Sequence, residues 1–360
     1  MRILLLSRPV INAGDYLFSA KSLEAFERIL PGVQVVTGHI STDMNLEEIN
    51  QFNAIVAAGG PLYDNRFLTR ESFPILKYID RMIPKLHFLS NGWYGTDAEK
   101  DSLNKFKFEQ SVMENLKIIQ ERGGSFSCRD YISKYILKNN NIDNVTMAGC
   151  TAWYDYDNMG VLKPLYYGKV RKIFISDQGI TKEHDRWSWK YEQMASVIKF
   201  LQHYFPDAEI MFSFNGGICT KYSKEYNLKI CDLLKRNHIS YFDISGSDKG
   251  FSMYDKADLH IGFRMHSHIY CMSKRIPSVL ISEDARGIGL NTAIGLNDIR
   301  DFSVDDGKIV PNENMIKELE YYLDDLSECK YHLLISAYTR MNTIYKDNFV
   351  PFLRGICASE

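Results

Sequence analysis

The stretch Asp258-Leu-His-Ile-Gly-Phe-Arg-Met-His-Ser-His-Ile-Tyr-Cys-Met-Ser-Lys-Arg-Ile-Pro-Ser-Val-Leu-Ile281 holds one complete strand–helix–strand unit. Short apolar runs over residues 258–262 and 278–281 predict buried strands, and we expect the segment 267–273 between them to be helical. Buried strands joined by a helix are typical of a parallel sheet that helices cover on both faces. The stretch therefore predicts an α/β fold.

The same alternation of strands and helices runs through the rest of the chain. It begins at Arg2 and restarts at Lys172, after a stretch with glycine and proline, residues 158–170, that we interpret as a linker. At about 150 residues per domain, the length of the chain predicts two domains. The other predicted strands are 2–7, 33–36, 54–58, 87–90, 125–128, 145–148, 172–176, 209–213 and 239–243. The other predicted helices are 17–30, 107–122, 130–137, 190–204, 224–237 and a long region, 314–345, that breaks near Glu328.

The composition excludes several classes of protein. Apolar residues make up 45% of the chain and charged residues 24%, as in an ordinary globular protein. The formal net charge of −2 lacks the basic excess of nucleic-acid-binding proteins, so we expect no nucleic-acid partner. The apolar run at the N-terminus is too short for a signal peptide or a membrane span, and no later run reaches about 18 residues. We therefore expect a cytoplasmic protein without a transmembrane segment.

The cysteines also argue against two kinds of stabilising site. There are seven of them, an odd number, and none are spaced as CxxC. This pattern is unlike a disulfide framework or a structural zinc site, so we expect buried free thiols and no bound metal. The sequence contains no Walker A, HExxH or GxSxG motif.

The segment Gly262–His266 is the sharpest candidate for a functional site. It follows a predicted strand, and ligands bind at the carboxyl ends of strands in open parallel sheets. Arg264 and His266 then lie in the loop or the first helical turn, where the helix dipole attracts phosphate or carboxylate groups. Arginine binds such groups bidentately, and histidine exchanges protons near neutral pH. His268 shares a helix face with Arg264, so we assign the chemistry to His266 and a supporting or structural role to His268.

Two further arginines follow predicted strands. Arg129 precedes Asp130, which can cap the next helix, and a cation at a helix N-terminus is favourable only when an anion lies between them. The alternative for Arg129 is a surface salt bridge. Arg286 follows the strand that ends near residue 281 and is a third candidate anion contact, with a solvated loop charge as the alternative.

The first half of the chain offers three loops at predicted strand ends. In Asn12-Ala-Gly-Asp15, Gly14 allows the backbone to approach a ligand, and the alternative is an ordinary helix cap by Asp15. Gly59-Gly60 predicts a tight turn beside a binding cleft, and Asn91 ends the next strand. Four aromatic residues are predicted to lie in loops: Trp93, Tyr94, Trp187 and Trp189. Such side chains can stack on sugar rings, but packing within the protein is the default interpretation.

In order and spacing these segments resemble the polysaccharide pyruvyl transferase family over roughly residues 1 to 300. Residues 258–281 resemble its strand, RxH element, helix and following strand, and residues 127–130 its SVRD-type segment. Residues 12–15 resemble its NxGD loop, and Gly59-Gly60 its glycine turn. The resemblance implies a glycosyltransferase-B-like α/β fold of two facing Rossmann-like domains with parallel sheets.

The resemblance also assigns the parts of the chain. Residues 1–165 would form an acceptor-side domain, residues 166–330 a donor-side domain, and residues 331–360 a helical segment packing back on the first. The donor would be phosphoenolpyruvate, the acceptor a sugar or lipid-linked glycan, and the product a pyruvate ketal made without a cofactor. A lipid-linked acceptor would bring the protein to the inner membrane face as a peripheral protein.

The resemblance implies roles for single residues. Arg264 and Arg129, with His268 and Arg286, would bind the donor, and His266 would protonate its methylene carbon. The acceptor or cleft loops would contribute Asn12, Gly14, Asp15, Gly59, Gly60 and Asn91. Tyr16 stands where relatives carry an acidic residue, which leaves Asp15 as the fallback base on the acceptor side. Two alternatives remain: a nucleotide-sugar glycosyltransferase of the same fold, and a catalytically silent binding protein.

Overall fold

The computed structural model describes residues 1–164, 168–179, 187–221, 223–329 and 331–358. The chain divides into two compact units, each built on its own sheet. The first unit consists of Met1–Val10, Asp15–Tyr154 and Arg340–Glu360, and the second of Ile11–Gly14 and Asp155–Thr339.

The first unit is built on six parallel strands. They are β1 (Arg2–Ser7), β2 (Gln34–His39), β3 (Ala54–Ala58), β4 (Lys85–Asn91), β5 (Phe126–Cys128) and β6 (Val145–Met147). Their order across the sheet is β2-β1-β3-β4-β5-β6. All residues of β3 are apolar and buried, as expected for a strand covered on both faces. The helices up to this point of the chain are α1 (Ala13–Ile29), α2 (Leu46–Ile49), α3 (Lys100–Lys105), α4 (Gln110–Glu121) and α5 (Tyr131–Asn139).

The second unit repeats this architecture with a second six-stranded parallel sheet. Its strands are β7 (Lys172–Ser176), β8 (Glu209–Phe214), β9 (Ser240–Asp243), β10 (Leu259–Gly262), β11 (Ser278–Ser282) and β12 (Ile299–Arg300). Their order is β12-β11-β10-β7-β8-β9. A separate antiparallel pair follows, β13 (Phe302–Asp305) and β14 (Lys308–Pro311). The remaining helices are α6 (Trp187–Tyr204), α7 (Lys224–Arg236), α8 (Met265–Ser273), α9 (Ala285–Ile294), α10 (Met315–Glu328), α11 (His332–Ile344) and α12 (Val350–Ala358).

The α/β fold class predicted from the sequence is confirmed, and the differences are local. The predicted helix 107–122 corresponds to α4, and helix α3 before it was not predicted. Helix α1 begins at Ala13 because the Asn12 side chain accepts a hydrogen bond from the Gly14 N–H at 2.9 Å. The alternative that Asp15 caps this helix is therefore wrong, since Asp15 lies within its first turn.

Three further predictions need correction. Trp187 and Trp189 belong to helix α6, not to a loop. The segment after β11 is helix α9. No helix was predicted there, because Gly287 and Gly289 lower helix propensity. Cys219 is exposed, so not every thiol is buried as expected. The long helical region near the C-terminus does break after Glu328, as predicted.

The C-terminal residues pack beside strand β6 in the first unit. The Asn348 side-chain amide donates to the Met147 carbonyl at 2.9 Å. The Tyr154 ring contacts Tyr345 and Phe349, with ring centroids 5.0 and 4.7 Å apart. Within the described parts of the chain, no helix combines the length and apolar character that crossing a membrane requires.

Arg275 holds residues 158–161 of the second unit in place. It is fully buried, and its guanidinium donates to the carbonyls of Val161 at 2.7 Å and Asn158 at 3.1 Å. It also stacks on the Tyr338 ring at 4.7 Å. Residues 158–161 of the predicted linker are thus held by the second unit through backbone carbonyls, while residues 165–167 lie outside the described residues.

Candidate functional site

A buried ion pair marks the carboxyl edge of the second sheet. Asp177 follows β7, and Arg264 follows β10 as the residue that precedes helix α8. The Arg264 guanidinium donates to both Asp177 carboxylate oxygens, from Nε at 2.8 Å and from Nη2 at 2.7 Å. The backbone N–H groups of Asn215 and Arg264 add bonds to Asp177 and Ser176, at 3.0 and 3.1 Å. Arg264 was predicted at this strand end from the sequence, but its carboxylate partner was not.

One nitrogen of Arg264 stays available in this arrangement. Burial lowers the pKa of Arg264, but Asp177 outweighs that effect and raises it above its ordinary value. Among the described residues, Nη1 has no hydrogen-bond acceptor, and the side chain is 20% exposed. A Cβ on Gly216 would lie 3.0 Å from Nη2, so glycine there allows the guanidinium to sit against the backbone. An anion could therefore reach Arg264 through Nη1.

His266 lies against the first turn of helix α1 and the residues just before it. A Cβ built on Gly14 would be 2.0 Å from His266 Nδ1, closer than any real contact. The segment itself is held by two backbone hydrogen bonds of the second unit. Ala13 donates to the Asn215 carbonyl at 2.9 Å, and Gly246 donates to the Ile11 carbonyl at 2.7 Å. The structure thus brings together Gly14 and His266, two residues that the sequence predicted separately.

His268 occupies a different environment from His266. It has no exposed surface, and its Nδ1 pairs with Ser278 Oγ at 2.8 Å. Burial lowers the pKa of His268 to about 3, so the ring is neutral near pH 7. His260 binds the same hydroxyl at 2.8 Å and reaches Ser176 Oγ at 3.1 Å. These contacts favour the structural alternative for His268 and give no support to a direct contact with the donor.

Arg286 is committed to its own helix. It lies in the first turn of α9, where Asp284 accepts from the Arg286 N–H at 2.9 Å and from its Nε at 3.0 Å. The alternative of a solvated loop charge is therefore wrong. The side chain is 31% exposed, and it lies near enough to Arg264 to oppose protonation of that guanidinium.

Sequence reasoning missed a second ion cluster at the same edge. Glu283, at the end of β11, accepts from the Gly179 N–H at 2.8 Å and from the Lys190 ammonium. Lys190 is 2% exposed and also lies 3.3 Å from Asp301. Burial lowers its pKa, but the two carboxylates outweigh this and raise it. The sequence did not indicate a role for Lys190, because it belongs to a predicted helix and its partners are more than 90 residues away.

The charges at this edge nearly cancel. Four carboxylates and three cations have been described, so the formal sum is −1. The cations are Arg264, Lys190 and Arg286, and the carboxylates are Asp177, Glu283, Asp301 and Asp284. A bound anion would need the directed N–H groups of Arg264 and the backbone, because the local net charge does not attract it.

The first unit has a polar cluster at the ends of β4 and β5. Arg129 is 2% exposed, and its Nε lies 3.3 Å from Asp130, so the alternative of a surface salt bridge is wrong. Asp130 also caps helix α5 by accepting from the Ser133 N–H at 2.7 Å. A Cβ on Gly92 would lie 2.4 Å from Arg129 Nε, so the guanidinium packs directly on the backbone there.

This cluster contains polar atoms without protein partners. Within the described residues, Arg129 Nη2, Asn91 Oδ1 and Ser90 Oγ are buried and make no hydrogen bond. The other end of the Asn91 amide donates to the Ala57 carbonyl at 2.9 Å. An unsatisfied buried donor costs about 1–3 kcal/mol, so a ligand oxygen that pairs with Arg129 would recover that cost.

The glycine turn borders this cluster. Gly59 and Gly60 both have positive φ, 78° and 74°, and the Gly60 carbonyl accepts from the Gly92 N–H at 3.0 Å. A Cβ on Gly59 would strike the Phe18 ring, whereas one on Gly60 would meet nothing within 4 Å. Gly59 is therefore needed for packing, and Gly60 is the position where a ligand has room to approach.

Asp15 lies in the first unit, near a cation that the sequence analysis did not single out. Its carboxylate interacts with Arg8, which stacks on the Phe67 ring at 4.0 Å. Tyr16, at the position where an acidic residue was expected, donates its hydroxyl to the Val10 carbonyl at 3.1 Å. Tyr16 therefore has a structural contact, which leaves Asp15 as the carboxylate of this loop.

Comparison with known protein families gives one match. The family model described as polysaccharide pyruvyl transferase matches residues 12–285, which include the segments around Gly14, Arg129 and His266. None of the curated protein sequences compared with the chain matches it significantly.

Three solved structures illustrate the fold that this chain shares. One is UDP-GlcNAc 2-epimerase from Neisseria meningitidis bound to UDP-GlcNAc, at 9% identity and TM-score 0.60, covering 100% of both chains. Another is a putative UDP-N-acetylglucosamine 2-epimerase from Listeria monocytogenes, at 13% identity and TM-score 0.56, covering 100% of this chain and 95% of that one. A third is the S. aureus MnaA–UDP structure, at 12% identity and TM-score 0.55, covering 96% and 94%. Together with the two parallel six-stranded sheets, this likeness confirms the glycosyltransferase-B-like fold class and nothing beyond the fold.

Proposed function

Because the chain belongs to the polysaccharide pyruvyl transferase family, we propose that it transfers the pyruvyl group of phosphoenolpyruvate to two hydroxyls of one sugar in a glycan or glycan precursor. The observation that carries the proposal is the position of His266. It lies one residue beyond the start of α8, two residues after the ion-paired Arg264, inside the segment that the family model matches.

The proposed reaction balances with these two substrates alone. A proton added to the methylene carbon of phosphoenolpyruvate makes the central carbon electrophilic. The oxygen of the first sugar hydroxyl bonds to that carbon, and its proton passes to a base. The second hydroxyl then bonds to the same carbon, the bond to the phosphate oxygen breaks, and inorganic phosphate leaves with the second proton. The products are the ketal and inorganic phosphate.

We assign proton delivery to His266 as general acid. The contact with Gly14 supports the assignment, because it fixes the imidazole against a segment with three backbone or side-chain hydrogen bonds. The first hydroxyl can return its proton to the same imidazole, which restores the acid. Asp15 is the proposed alternative base on the acceptor side.

We propose Arg264 and Arg129, each within its own unit, as anion-binding residues for the donor. Arg264 offers Nη1, and Arg129 offers Nη2, which is buried without an acceptor among the described residues. Both guanidiniums are oriented beforehand by carboxylates, Asp177 and Asp130, so binding an anion costs little reorganisation. His268 and Arg286 are proposed only to support this environment.

Ligand-induced thermal shift tests the choice of donor. Any ligand that binds only the folded chain raises its melting temperature. Phosphoenolpyruvate is expected to raise it, and UDP-N-acetylglucosamine, a substrate suited to a glycosyltransferase, is expected to leave it unchanged. If saturating phosphoenolpyruvate gives no shift and the nucleotide sugar does, the glycosyltransferase alternative replaces this proposal. If neither ligand gives a shift, the silent binding protein is favoured.

A further inference from the structure

A cavity lies on the second unit, between helices α6 and α7. Its volume is about 750 Å³, within the range of roughly 300–1,000 Å³ that is usual for ligand-binding cavities. None of the described residues that line it belongs to the clusters above. They are Trp189, Tyr191, Glu192, Tyr226, Lys229, Asp232 and Arg236.

The chemistry of this lining favours a neutral ligand with many hydroxyls. Three aromatic side chains line the cavity, and its described charged lining residues, two carboxylates and two cations, have formal charges that sum to zero. A phosphate-bearing ligand would gain no net attraction here. Sugar hydroxyls both donate and accept, so they suit carboxylates and cations alike, and the C–H face of a sugar ring suits an aromatic face.

Two of the aromatic side chains are already held in place. Arg236 donates from Nη2 to the Tyr191 hydroxyl at 2.8 Å. Tyr226 is buried, and its hydroxyl donates to Gln178 Oε1. Rings that are fixed before binding lose little conformational entropy when a ligand stacks on them, which favours affinity.

The cavity is connected to the proposed donor site through Tyr226. The Gln178 side chain accepts from Tyr226, and its backbone carbonyl accepts from Arg264 Nη2 at 3.1 Å. A ligand that packs on Tyr226 is therefore two hydrogen bonds away from the guanidinium of Arg264. This connection links occupancy of the cavity to the proposed donor site.

We infer that this cavity binds one or more uncharged sugar units of a glycan. The identification of that glycan as the acceptor rests on the proposed function, but sugar binding by the cavity does not. The cavity would make the enzyme prefer an extended acceptor over a single sugar, because the additional units contribute binding energy away from the reacting hydroxyls.

Calorimetric titration of the full chain tests the inference. The probe is a mixture of short oligosaccharides from the surface polysaccharide of the source organism, freed of pyruvyl groups by mild acid. Wild type is expected to bind it. Trp189→Ala removes one ring, and Asp232→Trp fills the cavity from an exposed helix position; each is expected to weaken binding by at least about tenfold. Leu228→Ala, an exposed change on α7 outside the cavity, is the matched control and should bind like wild type.

The outcomes separate this inference from the proposed function. Unchanged binding by both cavity variants, or no binding by wild type, overturns the inference. Phosphate release from phosphoenolpyruvate, measured on the same preparations, reports the proposed function independently. Asp232→Trp keeps the test decisive if Trp189→Ala does not fold, because an exposed position tolerates a large side chain at little cost.

Discussion

The imidazole of His266 rests against Gly14, so closely that a Cβ at position 14 would be 2.0 Å from Nδ1. The two residues are more than 250 positions apart, and each was singled out from the sequence for a different reason. Gly14 was expected to admit a ligand, but its described neighbour is the proposed catalytic ring. Glycine at this position therefore determines where His266 lies.

Replacing Gly14 by alanine should displace His266. The added methyl group cannot occupy the same space as the imidazole, and misplacing a catalytic group by about 1 Å can cost about 100-fold in rate. We expect kcat to fall by roughly that factor with little change in the melting temperature. Gly355→Ala is the control, since a Cβ there meets nothing within 4 Å. Equal activity of the two variants would remove Gly14 from the positioning of His266.

Replacing His266 by alanine should abolish turnover while phosphoenolpyruvate still binds. General acid catalysis contributes about 10²–10⁴-fold, so kcat should fall by a factor in that range while the donor-induced thermal shift is retained. His203→Ala, an exposed histidine near the end of α6, should behave as wild type. Full activity of His266→Ala would exclude it as the proton donor.

Replacing Arg264 by alanine should weaken donor binding and stability together. Asp177 would remain buried without its cation, which costs about 3 kcal/mol of unfolding free energy. Asp177→Asn should lose a similar amount while phosphoenolpyruvate affinity changes less, because the guanidinium stays. Lys105→Ala is the control, since its pair with Asp101 is exposed and worth less than about 1 kcal/mol. Unchanged donor affinity in Arg264→Ala would refute its assignment.

Replacing Arg129 by methionine should remove the stabilisation that phosphoenolpyruvate gives. The buried Nη2 has no acceptor among the described residues, and a donor anion would supply one. We expect the thermal shift with phosphoenolpyruvate to disappear in Arg129→Met and to persist in Lys138→Met, which removes an exposed cation from α5. Identical shifts in both variants would place the donor anion elsewhere.

The chain should lose stability below about pH 6.5. Histidines that are buried and neutral in the folded state become exposed on unfolding and bind a proton there, which favours the unfolded state. Burial lowers the pKa of His87 to about 4 and that of His268 to about 3. Their contribution is present above the unfolded pKa of about 6.5 and is lost as pH falls toward those values. His87→Asn should therefore lose about 2 kcal/mol less than wild type between pH 7.5 and 5.0 in denaturant titrations. Equal losses would show that His87 does not contribute.

The strands were predictable because buried parallel strands leave continuous apolar runs, such as the five residues of β3. Helix α9 was not, because Gly287 and Gly289 conceal it and its stability comes from burial against neighbouring elements. Tertiary packing overrides local propensity at such positions.

The candidate site was predictable where a residue type follows a strand, as with Arg264 and Arg129. Their partners were not, because pairing between distant segments leaves no local pattern. Asp177 lies 87 positions from Arg264, and Lys190 joins Glu283 and Asp301 from within a helix. The same limit explains His268, whose helix spacing resembles that of a ligand contact although burial places it in the core.

The most direct test of the account is product analysis. Wild-type protein is incubated with phosphoenolpyruvate and depyruvylated glycan fragments from the source organism, and both inorganic phosphate and the modified glycan are measured. We predict one phosphate released for each pyruvate ketal formed, identified by mass spectrometry, with both products missing for His266→Ala. Absence of the ketal and of phosphate release with wild type, while UDP-N-acetylglucosamine is consumed under the same conditions, would contradict the account.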